Sequence, residues 1–421
     1  MSQTGEGGAR VEKTSGRSLL KSAAPLGAEA ADFSQAAQGP AGRPGGTILA
    51  YVGSYTLPAG PDGMIGRGEG IYILEMDPAT GILKQRELIK RNTNPSFMAY
   101  DAAARYMYCV DWTPTYKGTK SGSVSAYRIE RPSGHLTLLN TVSSEGANPT
   151  HLSVHPSGKF VLVASYFGGT VAVLPILEGG KLGDATDVSR DQGKVGPERA
   201  ASAPPGSFAI SGHDHPHAHM VEADAAGRFV FAADLALDRI FVWKFDAEKG
   251  KLAPNDPPFV ALPPGDGPRH FAFHPSGRWF YSLQEEGSTV AVFDYDPARG
   301  RLTAKQTVSS LPAGFAGSNF PAEILVSPDG KFLYASNRLH DTIAWFAISA
   351  SGTLAWRGEE WTRGNHPRAF NWDPTGKFFY VCNQFADAIT TFRLNRETGA
   401  ITFNDQYTPV PSPGSIIFLT V

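Results

Sequence analysis

Short apolar stretches in which hydrophobic and polar positions alternate recur along the chain from residue 95 onward. Alternation with a period of two, in segments rich in β-branched and aromatic residues, predicts β-strands. Each unit consists of a strand, a Pro/Asp-x-Gly turn, a second strand, a short polar loop, a third strand and a fourth segment such as GHLTLLNTV. The units recur every roughly 46–70 residues, which is the spacing of four-stranded propeller blades.

Six complete units are visible, and the two ends of the chain supply a seventh. The units begin at Pro95, Pro149, Ala218, Pro268, Pro321 and Pro367. The C-terminal PGSIIFLTV resembles a first strand without successors, whereas TILAYVGSYT, GEGIYILEMD and GILKQRELI resemble second, third and fourth strands without a first. A blade shared between the termini closes the ring and leaves no long open sheet edge. We therefore predict an all-β, seven-bladed β-propeller over residues 46–421.

Residues 1–45 differ in composition from the rest of the chain. They are rich in Gly, Ala, Ser and Gln and show no periodicity, so we predict a disordered segment. Within it, SGRSLLKSAAPLGAEAA resembles a degenerate twin-arginine export signal with Arg17 alone where two arginines are expected. We predict a cytoplasmic protein, with periplasmic export as the alternative.

Composition excludes several partners. The 421 residues carry a formal net charge of −2, so no basic excess indicates nucleic-acid binding. No run of eighteen apolar residues indicates a membrane span. Cys109 and Cys382 lie far apart in apolar stretches, which predicts two buried thiols rather than a disulfide or a zinc site.

Polar side chains are predicted to meet at one mouth of the central channel, because the first strand starts there and the antiparallel second strand ends there. The strand starts are Phe97, Thr150, His151, His217, His219, Arg269, His270, Ala322, Glu323 and Arg368. The strand ends are Tyr55, Asp111, Trp112, Tyr166, Asp234, Gln284, Glu285, Asn337, Arg338, Asn383 and Gln384. Such a convergent set predicts a binding or catalytic site. For any single residue, the alternative is a structural role in which it pairs with the other polar groups or with the loop backbone.

The residue types limit the chemistry. Arg269, Arg338 and Arg368 can bind a carboxylate or phosphate and stabilise an oxyanion. Glu285, Glu323 and the histidines can act as general bases. No GxSxG, P-loop or HExxH motif is present. Serine-nucleophile, nucleotide-triphosphate and zinc-protease chemistry therefore lack a signature.

The stretch HDHPHAH, residues 213–219, raises the question of a metal site. Zinc requires three or four ligands in a tetrahedral array, and Pro216 with the strand entry disfavours such convergence. We predict that His213 and His215 are surface or lid residues and that His217 and His219 lie at the mouth. We predict no metal and no other cofactor.

These motifs together resemble the seven-bladed propeller lactonase family of bacterial 6-phosphogluconolactonases and fungal 3-carboxy-cis,cis-muconate lactonizing enzymes. The resemblance rests on YVGSYT, NPTHLSVHPSGKFVLVASYFGGTVAV, PHAH, GPRHFAFHPSGRWFYSLQEEGSTVAVF, AEILVSPDGKFLYASNR and PRAF, in this order. It implies metal-independent hydrolysis of a sugar-derived lactone such as 6-phosphogluconolactone or gluconolactone. The catalytic residues that it implies are His217 or His219, Arg269, Glu285 and Arg338. Further substrate contacts are predicted at His151, Tyr166, Arg199, Asp234, Glu323, Asn337, Arg368, Asn383 and Gln384.

The chain departs from this family in the segment before PHAH, where AASAPPGSFAISGHDH intervenes, which leaves the substrate open. One alternative is a lactonizing lyase or cycloisomerase that acts on a muconate-like dicarboxylate. A second is a non-enzymatic binding platform. A third is a calcium-dependent lactonase using oxygens of Asp111, Asp234, Glu285, Asn337 and Asn383, which three nearby arginines would oppose.

Overall fold

The computed structural model describes residues 46–421, so the segment 1–45 with its predicted disorder and export motif lies outside the described residues. Within residues 46–421, twenty-eight strands form seven antiparallel four-stranded sheets, joined by loops that include the single-turn helices Pro61–Gly63 and Glu178–Gly180. The predicted seven-bladed architecture is confirmed. The same part of the chain has no helix with the length and hydrophobicity needed to cross a bilayer.

Each sheet is one blade, and the strands are numbered along the chain. Blade 1 contains β1 (Ile48–Ser54), β2 (Gly70–Met76) and β3 (Leu83–Lys90). Blade 2 contains β4 (Pro95–Tyr100), β5 (Tyr106–Asp111), β6 (Ser123–Ile129) and β7 (Leu136–Ser143). Blade 3 contains β8 (Pro149–Val154), β9 (Phe160–Ser165), β10 (Thr170–Pro175) and β11 (Asp187–Arg190). Blade 4 contains β12 (Ala218–Ala223), β13 (Phe229–Asp234), β14 (Arg239–Asp246) and β15 (Lys251–Ala261).

The remaining three blades follow the same order. Blade 5 contains β16 (Pro268–Phe273), β17 (Trp279–Gln284), β18 (Thr289–Asp296) and β19 (Arg301–Ser309). Blade 6 contains β20 (Pro321–Val326), β21 (Phe332–Asn337), β22 (Thr342–Ile348) and β23 (Leu354–Trp361). Blade 7 contains β24 (Pro367–Trp372), β25 (Phe378–Asn383), β26 (Ala388–Leu394) and β27 (Ile401–Pro409), and β28 (Pro413–Thr420) returns to blade 1.

The two termini close the ring in blade 1, as the sequence predicts. β28 pairs antiparallel with β1, with Ile416 opposite Val52, so the C-terminal strand is the innermost strand of the first blade. The inner strands of neighbouring blades contact one another around the full circle, and β24 meets β28 where the circle closes. Because the ring is closed in this way, every inner strand has a neighbouring blade on both sides.

The hydrophobic core consists of seven apolar layers, one between each pair of neighbouring blades. Between blades 4 and 5, for example, the rings of Phe271 and Phe280 stack 4.8 Å apart and Phe231 packs beside them. Because both faces of each sheet are covered, a second strand such as β9 is buried along its whole length, whereas the outer β3 is largely exposed.

Histidines also connect neighbouring blades at the Pro-Ser-Gly turns. Nε2 of His155 lies 3.0 Å from the carbonyl oxygen of Gly227 in the next blade, and His274 makes the same contact with Gly330. Both glycines have positive φ angles, 64° and 70°, and a Cβ on either would press into the histidine ring. Two of the histidines are therefore explained by packing between blades, and Cys109 and Cys382 are both buried as free thiols.

Candidate functional site at one mouth of the channel

A β-bulge near the start of the inner strands turns one side chain out of the sheet. The pairing register shifts between Pro149 and His151, Ala218 and Met220, Pro268 and His270, and Pro367 and Ala369. The residues left unpaired are Thr150, His219, Arg269 and Arg368. A bulge redirects a side chain in this way at the rim of many sites, and proline fits the strand start because it has no N–H to donate. The bulges thus select which residue of each strand start reaches the mouth.

A second set of side chains reaches the mouth from the residue that follows each second strand. The backbone N–H of Tyr166, Glu285 and Arg338 donates to a carbonyl just before the inner strand of the same blade, at 3.0, 2.7 and 3.0 Å. The last residues of the second strands point elsewhere. Asp111 accepts hydrogen bonds from Ser123 and Ser125 within its own blade, so it stabilises the blade rather than the mouth.

The structure places three further predicted contact residues at such blade-internal positions. Asn337 bonds with Ser310, Asn319 and Thr342, Asn383 bonds with Thr362 and Thr390, and Asp234 accepts from the backbone of His217 and Leu237. These side chains do not line the mouth, because the last residue of a second strand lies within the sheet. The oxygen ligands named for a calcium site therefore do not converge.

A cavity of about 340 Å³ lies at this mouth. Of the predicted residues, it is lined by Tyr166, His219, Glu285, Arg338 and Arg368. Arg269 lies directly behind Glu285, and Gln384 accepts a hydrogen bond from Arg368 at 3.3 Å. Residues 60–63 and 210–212 form two loop walls of the cavity. This combination of a concave space and convergent charged groups is that of a small-molecule site.

Glu285 holds two of the arginines together. Its Oε2 lies 2.9 Å from Nε of Arg269 and 2.6 Å from Nη2 of Arg338, and all three side chains are at most 7% exposed. Burial and repulsion by Arg338 and Arg368 lower the pKa of Arg269 to about 9, so its guanidinium remains charged at neutral pH. A buried cluster of this kind fixes the guanidinium planes with little freedom to rotate.

Asp62 completes the charged ring, and the sequence reasoning missed it. Its Oδ2 lies 3.0 Å from Arg338 Nη1, 2.7 Å from Arg368 Nη1 and 3.1 Å from His366 Nε2. Burial opposes ionisation, but Arg338, His366 and Arg368 together hold the pKa of Asp62 well below its usual range. The signal available in the sequence is the Pro-Asp-Gly turn inside the long insertion between GSYT and GEGIYILEMD, which is consistent with the φ of 58° at Asp62.

His219 is the imidazole in the wall of the cavity. Its ring lies edge-on to Tyr166, with centroids 5.5 Å apart, and within residues 46–421 its buried Nδ1 has no hydrogen-bond partner. Burial, with the positive charges of Arg269, Arg368 and Arg338, holds the pKa of His219 well below the usual histidine range. His219 is therefore neutral at neutral pH and retains a proton-accepting nitrogen.

The other histidines of HDHPHAH lie outside the cavity. His217 stacks on Tyr166 at 4.2 Å, and its ring nitrogens face the Tyr166 carbonyl oxygen and Asp214. His213 is not the surface residue that we predicted: its side chain is fully buried, 3.2 Å from Glu286, because this carboxylate follows Glu285 and faces the loop. His215 is partly exposed. Asp214, His215 and His217 form the one group of potential metal ligands found in the described part of the chain.

His151 and Glu323 lie below the cavity rather than in it, in a narrower part of the channel. Oε1 of Glu323 is 2.9 Å from Nδ1 of His270, and the rings of His151 and His270 are 5.5 Å apart. Burial raises the pKa of Glu323 to about 7 and lowers the pKa of both histidines well below their usual range. These groups form a buried layer beneath the arginines.

Arg199 is placed away from the cavity lining. It is exposed, and its Nη1 donates to the carbonyl of Ser207 within the long loop that precedes β12. The insertion in this loop carries the arginine outward, which is why a match by sequence position alone placed it at the site.

Comparison with known proteins agrees with this fold. Residues 49–418 match the family model described as lactonase, 7-bladed beta-propeller. The chain is 33% identical over 372 residues to a 6-phosphogluconolactonase of Bacillus subtilis, covering 88% of this chain and 98% of that protein. It is similar to the structure of a periplasmic gluconolactonase of Pseudomonas aeruginosa, with 31% identity, a TM-score of 0.78, and coverage of 89% of this chain and 99% of the other. The chain belongs to the family of seven-bladed β-propeller lactonases.

Proposed function

We propose that the protein hydrolyses the ester bond of a sugar-derived lactone in the cavity at the channel mouth. The observation that carries the proposal is His219, a buried neutral imidazole without a partner for Nδ1, beside three guanidinium groups. Buried polar atoms are paired in most folded proteins, so an unpaired nitrogen on an imidazole that lines a cavity favours a functional explanation. Relatives named 6-phosphogluconolactonase and gluconolactonase support this chemistry.

In the proposed reaction, His219 accepts a proton from a water molecule that attacks the lactone carbonyl carbon. The new C–O bond forms as the carbonyl becomes a tetrahedral oxyanion. The bond between the carbonyl carbon and the ring oxygen then breaks, and the proton held by His219 passes to the departing ring oxygen. The products are a hydroxyl group and a carboxylic acid, which releases its proton to solvent at neutral pH and becomes a carboxylate.

Arg338 and Arg368 stabilise the oxyanion in this scheme, since both guanidinium groups line the cavity. Preorganised positive charge at the site of developing negative charge costs no rearrangement during the reaction. Glu285 acts as a positioning residue, because its Oε2 is already shared by Arg269 and Arg338. We assign proton transfer to His219 rather than to His217, whose two ring nitrogens both face protein oxygens.

The charge balance of the cavity bears on the substrate. Three guanidinium groups face the carboxylates of Glu285 and Asp62, which leaves one net positive charge. A neutral or singly charged lactone, such as an unphosphorylated gluconolactone, suits this balance better than a dianionic phosphate ester. A phosphorylated lactone is the second candidate substrate. A muconate-like dicarboxylate should be tested beside the lactones, because Arg338 and Arg368 already bind the carboxylate of Asp62 together.

The test is lactone opening by the purified protein and by His219→Gln, corrected for spontaneous hydrolysis. We expect kcat to fall by about 10²–10⁴-fold in the variant, the usual contribution of a general base. His135→Gln, which changes an exposed histidine paired with Glu87, should retain the full rate. Wild-type protein that opens no lactone faster than water contradicts hydrolysis, and consumption of the dicarboxylate alone would indicate the lyase.

The cellular location of this activity stays a prediction. The sequence favours the cytoplasm, whereas a similar protein of Pseudomonas aeruginosa is named as periplasmic. Fractionation of cells that produce the full chain, with and without the Arg17 segment, distinguishes the two.

A further inference from the structure

Three side chains of the loop before β12 converge beside the cavity. Asp214 stands between two histidines, with Oδ1 2.8 Å from His217 Nε2 and Oδ2 2.8 Å from His215 Nδ1. One ligand atom from each of the three residues lies within 4.8 Å of the others. The histidine rings are 4.2 Å apart, and each presents one nitrogen to a different oxygen of the carboxylate.

A neutral His217 has one N–H, but both of its ring nitrogens face oxygen atoms that can only accept a hydrogen bond. Nδ1 lies 3.0 Å from the carbonyl oxygen of Tyr166, which can only accept, so the single N–H of a neutral imidazole belongs there. Nε2 then presents a lone pair to Asp214, and an ionised carboxylate also can only accept. Two acceptors at 2.8 Å repel unless a positive charge lies between them.

His215 repeats the same arrangement. Its Nε2 lies 3.2 Å from the carbonyl oxygen of Phe167, and its Nδ1 faces the other oxygen of Asp214. Backbone carbonyls that fix a histidine tautomer and leave the opposite nitrogen free are the usual outer partners of metal-bound histidines. Here two consecutive carbonyls, those of Tyr166 and Phe167, serve two histidines that share one carboxylate.

We propose that Asp214, His215 and His217 bind one divalent transition-metal cation of the zinc type. Imidazole nitrogen with carboxylate oxygen suits Zn²⁺, Co²⁺ and Ni²⁺. Two ligands on a tetrahedral zinc stand about 3.3 Å apart at bond lengths of ~2.0–2.1 Å. The 2.8 Å contacts use different oxygens of Asp214 and would lengthen by about half an ångström, while the ligand atoms of the three residues, now within 4.8 Å of one another, would draw closer together. Asp214 is 72% exposed, which leaves room for water to complete the coordination.

The cation would fasten the loop that walls the cavity. Ser211 and Gly212 line the cavity a few residues before Asp214, and Tyr166 lies between the cavity and His217. A metal on these ligands joins the loop to the start of β12 and, through the two carbonyls, to the turn between β9 and β10 of blade 3. This role is structural and does not rest on the proposed lactone hydrolysis.

The experiment is titration of untagged full-length protein with Co²⁺, read by its visible ligand-field absorption and by competition with Zn²⁺. We expect one equivalent to bind. Asp214→Asn and His215→Ala, at exposed or partly exposed positions, should each weaken binding by at least the ~10–100-fold typical of outer-shell changes. Zn²⁺ should raise the Tm of the wild type and leave that of Asp214→Asn unchanged.

His135→Ala is the matched control, because His135 also contacts a carboxylate but lies elsewhere, at the start of β7. It should bind Co²⁺ like the wild type. The proposal is overturned by absence of stoichiometric binding, by unchanged binding in both loop variants, or by an equal loss in His135→Ala, which would indicate dispersed surface binding. Lactone opening measured on the same samples keeps the two proposals separate, since an active protein that binds no Co²⁺ contradicts only the metal site.

Discussion

Nη2 of Arg338 lies 2.6 Å from Oε2 of Glu285, and the two side chains are only 1% and 7% exposed. The same oxygen also contacts Arg269, so one carboxylate compensates two buried guanidinium groups. Removing one partner of a buried ion pair leaves an uncompensated charge out of water, which is among the largest single-site penalties in folded proteins.

Glu285→Gln should therefore reduce both stability and catalysis. We expect the free energy of unfolding to fall by about 3 kcal/mol, because buried Arg269 loses its counter-charge and Arg338 keeps only Asp62. Lactone opening should slow in parallel as the arginines move. Urea denaturation measures the first effect and initial rates the second. Glu75→Gln, which removes the partner of exposed Arg86, is the control and should unfold at the wild-type urea concentration. An unchanged midpoint for Glu285→Gln contradicts the structural role.

Asp62→Asn tests whether this carboxylate disfavours anionic substrates. The variant keeps a residue type that tolerates the φ of 58° but removes one negative charge from the two arginines. Asp62 is 28% exposed, so solvent screens its repulsion of an anionic substrate, and we expect this repulsion to cost about 1 kcal/mol. Its removal should lower the KM for the phosphorylated lactone roughly five-fold. The KM of neutral gluconolactone should stay the same.

The control for this substitution is Asp405→Asn, which has a φ of 51° but lies on the outer strand β27. It should change neither KM. A lower KM for both lactones in Asp62→Asn would indicate a steric effect of the loop instead of a charge effect.

The blade architecture was predictable because each blade repeats the same strand and turn pattern, and because the termini supply complementary parts of one blade. The positions of Arg269, Glu285, Arg338 and Arg368 were predictable for the same reason: in each blade the start of the first strand and the turn after the second strand lie at the same mouth. These predictions require only the order and direction of the strands in each blade, and the repeated sequence pattern gives both.

The finer assignments depend on features without a repeat. The bulge between Ala218 and Met220 decides that His219 faces the cavity, and a one-residue shift of this kind leaves the alternation of the sequence intact. Asp62 and Arg199 lie in insertions, where neither periodicity nor spacing constrains position. Asp234 does not line the cavity, because the last residue of a second strand lies within the sheet. The residue after the second strand reaches the mouth in blades 3, 5 and 6, and in blade 4 this residue is the apolar Leu235.

The pH dependence of the rate should report the depressed pKa of His219. Because the neutral imidazole is the proposed base and its pKa lies well below the usual histidine range, kcat/KM should stay level as the pH falls through about 6.5. Rates between pH 4.5 and 8, corrected for spontaneous opening, provide the test. An acid limb centred at or above the ordinary histidine pKa would show that His219 is solvated in the free enzyme or that another group limits the rate.

Glu222 should make stability depend on pH without affecting the mouth. It lies on β12 in the narrow channel below the cavity, and burial raises its pKa to about 8. A pKa of about 4.3 is usual for glutamate in an unfolded chain, so between these values the folded protein binds a proton that the unfolded chain has lost. The stability that this proton contributes is complete below the unfolded pKa and is lost as the pH rises through about 8.

Glu222→Gln should remove this dependence, since the amide resembles the protonated acid at every pH. The variant and the wild type should therefore unfold alike near pH 4.5, and at pH 9 the variant should be more stable by ~2–4 kcal/mol, an amount reduced from the full shift because the channel admits some water. Urea denaturation at pH 4.5, 7 and 9 measures the difference, with Glu75→Gln, at an exposed position of β2, expected to follow the wild type throughout. A difference between Glu222→Gln and the wild type that does not grow with pH would mean that Glu222 is ionised and hydrated in the folded channel.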